Sequence, residues 1–203
     1  MALDLLTLSV AFVVMLNPFA LFLYLQPIMK DLTHRNFLKV LFKASLTSFG
    51  IYALFLIVGD VLFRSVFQIN FESFRIFGGI VIFSFAYLFI VKGQKAFIQM
   101  KENLDDLASE IALPFMVGAG TISLTILMSN QYPVQIGAPV IAAILVVNYG
   151  IIATLKTMRD RLKREKLRVA FDKNMEMLLR LNGFFVGAIG VNMIITGIRN
   201  VFF

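Results

Sequence analysis

The sequence predicts an all-α membrane protein whose six transmembrane helices form two inverted three-helix repeats, with discontinuous first and fourth helices. Three observations predict it. Of the 203 residues, 59% are hydrophobic and only 15% charged, with a mean hydropathy of +0.85. Soluble domains carry roughly 25% charge. Apolar runs near the length of about 20 residues that a helix needs to cross hydrocarbon recur six times. Two of those runs, the first and the fourth, are interrupted at corresponding places, by Asn17-Pro18-Phe19 and by the stretch Pro114 to Ser123. Paired interruptions of this kind mark the solute site of many transporters.

The elements follow in order. The first span covers Leu5–Met29, broken at Asn17-Pro18, and the polar loop Lys30–Asn36 leads into the second, Leu38–Phe63. Lys43 lies one turn inside that span and Asp60 near its far end. After a turn at Ser65–Ser73, the third span runs from Phe74 to Lys92 and opens with Arg75 and Gly78-Gly79. Residues 93–110 are polar, with Phe97, Ile98, Leu104 and Leu107 spaced as on an amphipathic surface helix. The fourth span, Ile111–Ser129, carries the second interruption, and Asn130–Pro133 reads as a tight turn. The fifth, Val134–Leu155, contains Gly137, Pro139 and Asn148. A strongly basic loop, Lys156–Lys173, partly helical, leads to the sixth span, Met177–Phe203, with Gly183, Gly187, Gly190 and Gly197. The expected units are a first repeat at 1–93, a cytoplasmic polar connector at 94–110 and a second, inverted repeat at 111–203.

Charge sets the orientation. Of 19 Lys and Arg, all but Arg64, Arg75 and Arg199 fall on the side of the first, third and fifth loops. By the positive-inside bias those loops face the cytoplasm, and both termini face outside a cell membrane. The net charge of +7 is therefore spent on topology, and no nucleic-acid partner is expected. The start Met-Ala-Leu-Asp lacks a basic n-region and no small-residue cleavage site follows, so the first run is expected to be a retained span.

The inverted repeat rests on two pairings. Phe74-Arg75-Ile76-Phe77-Gly78 matches Leu179-Arg180-Leu181-Asn182-Gly183, and Asn17-Pro18-Phe19 matches Leu113-Pro114-Phe115. Three spans per half oblige a duplicated half to insert upside-down, which puts Arg75 at the outer face and Arg180 at the inner one.

Enzyme chemistry finds no support. With no cysteine and one histidine, disulfides, thiolate chemistry and a multi-histidine metal site are excluded. No Gly-x-Ser-x-Gly elbow, Walker loop or zinc spacing occurs. A transporter needs less. Proline cannot donate to the carbonyl one turn earlier, so Pro18 frees the backbone near Val14 and Pro114 near Glu110. Half-helix N-termini there offer positive dipole ends to a carboxylate. Asn17 brings an amide, Gly118, Ala119 and Gly120 leave room, and Thr121 and Ser123 bring hydroxyls; with Pro18, Phe19 and Pro114 these are the candidate substrate-binding residues. Arg75, Gly78, Gly79, Arg180 and Gly183 are assigned to helix packing or gating. Taken alone, the same small residues also fit a tight helix crossing with a proline kink. A pocket between two broken helices is small, which favours a solute the size of glycine or alanine.

With Asn17-Pro18-Phe19, Phe74-Arg75-Ile76-x-Gly78-Gly79, Pro114-x-x-x-Gly118-x-Gly120-Thr121-Ile122 and Arg180-x-x-Gly183 leading to Met193-Ile194-x-x-Gly197-Ile198, the chain resembles the MarC family over nearly its whole length. These are six-span integral membrane proteins. For members described as small neutral amino acid transporters, the resemblance implies movement of glycine, alanine and similar solutes driven by an ion gradient. It departs where the family commonly has Ala-Gly-Pro-Gly in the fourth span: this chain has Val117-Gly118-Ala119-Gly120, without the proline. The expected partners are such a solute and the lipid bilayer, with a homo-oligomer left open. No cofactor is expected besides a coupling ion, H+ or Na+. The alternatives are a transporter or channel for another small solute or ion, and a non-transporting membrane scaffold.

Overall fold

Helices account for all the regular structure among the residues that the computed structural model describes, 5–61, 68, 70–93 and 116–202. In chain order they are α1 (Leu5–Leu16), α2 (Pro18–Asp31), α3 (His34–Val61), α4 (Phe71–Lys92), α5 (Ala119–Gln131), α6 (Val134–Arg161) and α7 (Glu165–Phe202). Among the described residues five stretches are long and apolar enough to cross a bilayer: Leu5–Gln26, spanning α1 and α2, then His34–Gly59, Glu72–Lys92, Val134–Arg161 and Glu165–Phe202. The fourth expected span is described only from Met116, and the connector 94–110 and Pro114 lie outside the described residues.

Element ends follow local chemistry. Asn70 caps α4, its side-chain oxygen accepting from the Glu72 amide at 3.0 Å, which starts the helix three residues earlier than expected. At its other end Gly93, with φ 55°, turns the chain and donates to the Phe89 carbonyl. The basic stretch expected as a loop, Lys156–Lys173, is mostly helix. α6 runs on to Arg161 and α7 begins at Glu165, so only Leu162–Arg164 separate them. Arg159 on α6 pairs with Asp172 on α7 at 2.9 Å, which ties the two helices together across that short link.

Polarity is arranged for lipid. Phe42, Leu46, Leu54, Ile57, Phe77, Phe83, Val146, Phe184, Phe185 and Ile195 stand exposed, while Asn17, Ser48, Thr121, Ser123, Thr125 and Asn148 are buried. A surface so apolar suits hydrocarbon and not water. The chain is a multi-pass integral membrane protein. The main core gathers α1, α2, α3, α5 and α6 around Phe12, Phe22, Tyr52, Met116 and Ile141. A smaller one, Ile82, Ala86, Val186 and Met193, lies between α4 and α7 and is joined by Val14 and Met15.

Two helix pairs set the geometry. α4 and α7 run antiparallel in close contact. A Cβ on Gly79 would meet the Gly190 carbonyl at 2.6 Å, one on Gly197 the Glu72 carbonyl at 3.1 Å, and one on Gly183 Ile90 at 3.0 Å. Only small residues let backbones approach so closely. α3 and α6 are also antiparallel, since Leu56 lies on Gly137 while Lys156 sits over the Phe37 ring. Their buried faces match at six positions, one hundred residues on: Phe37, Leu41, Ala44, Ser48, Tyr52 and Leu56 against Gly137, Ile141, Ile144, Asn148, Ile152 and Lys156, while the buried Leu145 answers to a half-buried Ser45.

Candidate functional site

α1 stops at Leu16 and α2 starts at Pro18; between them Asn17 has φ 45°, the left-handed region that residues other than glycine rarely adopt. Asn17 holds the junction together. Its amide donates to Val13 at 3.3 Å, its carbonyl accepts from Leu21 at 3.1 Å, and its side-chain oxygen accepts from the Ala20 amide at 3.1 Å. That last bond is an N-cap for α2, and Pro18 takes the first helical position, where no N–H is needed. The side chain's Nδ2 is buried and has no hydrogen-bond partner among the described residues. Pro18 leaves the Val14 carbonyl without its usual donor, and Asn182 on α7 supplies one at 3.1 Å.

On the second half's side the described residues resume at Met116, and Met116–Gly118 lead directly into α5. The Tyr52 hydroxyl, from α3, donates to the Met116 carbonyl. Thr121 closes the turn: its hydroxyl accepts from the Gly118 amide at 3.0 Å and lies within bonding distance of the Met116 and Gly118 carbonyls, at 3.1 and 3.0 Å. Thr121 is thus occupied by its own helix start. Ser123, also buried, has a hydroxyl with no partner among the described residues.

The end of α1 and the start of α5 adjoin. The place a Cβ would take on Gly120 is already filled by the ends of Met15 and Ile82. The last turn of α1 therefore meets the first turn of α5, so the space expected at Gly120 is filled by packing. Gly118 has nothing described within 4 Å of such an atom. Pro18 is buried, Phe19 packs half-buried against the core, and Ala119 opens α5. Around this centre, Gly78 and Gly79 are buried on α4, and Gly79 and Gly183 pack against α7 and α4 respectively. Arg75 is 9% exposed and pairs with Glu72 at 2.9 Å. Arg180 donates to the Ile90 carbonyl at 2.8 Å, capping the end of α4, and pairs with Glu176 at 2.9 Å.

The profile of the MarC family integral membrane proteins matches residues 4–202. The chain belongs to the MarC family. A UPF0056 membrane protein of Pyrococcus horikoshii, PH0214, is 23% identical over 195 residues, covering 96% of this chain and 93% of the relative. YvbG of Bacillus subtilis is 27% identical with 79% and 77% covered, and YhcE of Escherichia coli 28% with 72% and 69%; both are likewise named UPF0056 membrane proteins. No solved structure matches the chain.

In this MarC chain several polar residues have contacts or positions to which the sequence alone assigned no role. Tyr52 and Asn182, which serve the two interruptions, look in sequence like one more aromatic and one more amide. Asn148 is fully buried in mid-helix with neither side-chain atom partnered among the described residues. Lys156, expected in a loop, is 3% exposed; it donates to Asp160 at 2.7 Å, and His34 lies 3.6 Å from the same carboxylate. Nearby, Asp172 accepts from Nε and Nη2 of Arg159, both at 2.9 Å, and from the Gln26 side-chain amide at 2.9 Å, tying α6, α7 and α2 together. Among the described residues no three metal-ligating side chains gather.

Proposed function

We propose that this MarC family protein is a secondary active transporter of small neutral amino acids, of the glycine and alanine class. It works by alternating access between two inverted halves, with the solute held between the broken first and fourth helices. The carrying observation is the adjoining pair of interruptions, with the Asn17 Nδ2 and Ser123 Oγ buried beside them and open. Buried polar groups are nearly always partnered. A solute that brings a carboxylate and an ammonium group supplies such partners, and the N-termini of α2 and α5 favour its carboxylate. Support for inverted halves comes from the matching buried faces of α3 and α6 and from the antiparallel glycine contacts of α4 and α7. A rotation that exchanges the halves turns each pair onto itself with its direction reversed. The basic loops then face the cytoplasm, both termini lie outside the cell membrane, and H+ or Na+ drives the cycle. A scaffold reading draws on one observation, the filled space at Gly120.

The test is uptake of radiolabelled glycine and alanine into proteoliposomes under a proton gradient, a sodium gradient or neither. Saturable uptake accelerated by one gradient is expected. Asn17→Ala is expected to lower it roughly 10- to 100-fold, the equivalent of a lost hydrogen bond of about 1–3 kcal/mol. Ser123→Ala is the companion variant, since a bulky residue at Gly120 would strike Met15 and Ile82 and disturb the fold itself. Folded protein that takes up neither solute under any gradient sinks the amino acid reading.

A further inference from the structure

Asn148 occupies the middle of the 28-residue α6, about 20 Å of helix from either end, which is mid-bilayer for a spanning helix. It is 0% exposed, and both Nδ2 and Oδ1 lack a partner among the described residues. Its counterpart one hundred residues earlier, Ser48, is satisfied locally by donating to the Ala44 carbonyl at 2.9 Å. The contacts of Leu56 with Gly137 and of Phe37 with Lys156 fix the antiparallel register of α3 and α6. Continued inward, that register puts Asn148 opposite Ser45, at the centre of both helices. α1 and α2, which meet at Asn17, also pack on α6. Two interior amides with open atoms thus come one from each half of the chain, on helices in contact.

We infer that Asn148 is a solute-contacting residue of the transport path, the second half's amide contact to a small zwitterion. This rests on the transport reading above. A carboxamide presents a donor and an acceptor together, and full satisfaction needs a solute with an acceptor and a donor close together. An α-amino acid has its carboxylate and ammonium on one carbon. A bare ion satisfies one side of the amide and leaves the other orphaned, so Asn148 also contributes to selectivity against ions.

The natural absence of cysteine gives a direct test. Asn148→Cys in the full-length protein, in proteoliposomes, is treated with a small hydrophilic methanethiosulfonate, which reacts with a thiolate and so needs water at the site. Ile152→Cys, on the same buried face, and Val146→Cys, facing lipid, serve as inert references. The expected result is labelling of N148C alone, slowed about tenfold by glycine or alanine near ten times its Kd. In parallel, Asn148→Leu should raise KM for uptake without lowering thermal stability, because no described bond is broken. An N148C thiol as inert as the I152C thiol overturns the inference, whatever the wild type transports. So does a thiol that labels but is not protected by amino acids that the wild type takes up. Wild-type protein that takes up neither solute counts against the transport reading, in an arm that does not involve Asn148.

Discussion

Asn182 shows how a single side chain underwrites the first interruption. The proline rule foretells that Val14 loses its donor; it says nothing about who replaces it, because the replacement comes from a helix far along the chain. Asn182→Leu leaves that carbonyl orphaned and is expected to destabilise the protein by about 1–3 kcal/mol, read by unfolding in mixed micelles. Unchanged stability would mean that the Val14 carbonyl is served by something else. Tyr52 and Asn148 were illegible for a related reason. A polar group in an apolar run carries no sign of what it faces, and Tyr52 declares its role only through the Met116 carbonyl. Lys156 was hidden by its company: set among basic residues it reads as loop, yet its ammonium is held by Asp160 and lies 5.4 Å from the centre of the Phe37 ring.

At the scale of elements, apolar length was legible and breaks were partly so. Asn17-Pro18 marks its interruption where the helix does stop. In the second half proline was the loudest signal, at Pro114, which lies outside the described residues; the start of α5 that follows is sealed by Thr121, a quieter residue. Glycine had to be read in its spacing. Gly79 and Ala86 on α4, and Gly183, Gly190 and Gly197 on α7, recur every two turns and face one another along the antiparallel seam. The seam predicts a graded response. Gly79→Ala puts a methyl group 2.6 Å from the backbone oxygen of Gly190, which cannot retreat without moving α7. A loss of about 1–3 kcal/mol or more is expected, as for overpacking of a core. Gly50→Ala meets nothing within 4 Å and should be neutral or stabilising by up to about 1 kcal/mol through helix propensity. Equal effects of the two changes in the same unfolding assay would mean that the seam does not hold α4 to α7.

For the whole molecule, the antiparallel seam carries a consequence that composition alone could not deliver. Counting Lys and Arg by loop gives an orientation only if the number of crossings is known, and one wrongly read span reverses everything after it. The seam avoids the count: if α4 and α7 lie antiparallel, the links that precede them open on opposite ends of the bundle. Gln68 stands exposed three residues before α4, with φ 51°, and Arg164 stands exposed immediately before α7. With no native cysteine to remove, Gln68→Cys and Arg164→Cys can be probed separately in intact cells with a membrane-impermeant maleimide. Gln68→Cys is expected to label from outside, and Arg164→Cys only after the membrane is opened, if the basic link follows the positive-inside bias. The reverse pattern would keep the antiparallel pair and overturn the charge-based orientation. Labelling of both from the same side would break the antiparallel pair itself, and with it the proposal of inverted halves and alternating access. Charge predicts which end faces the cytoplasm; the glycine contacts put the two links at different ends, so that the labelling can tell them apart.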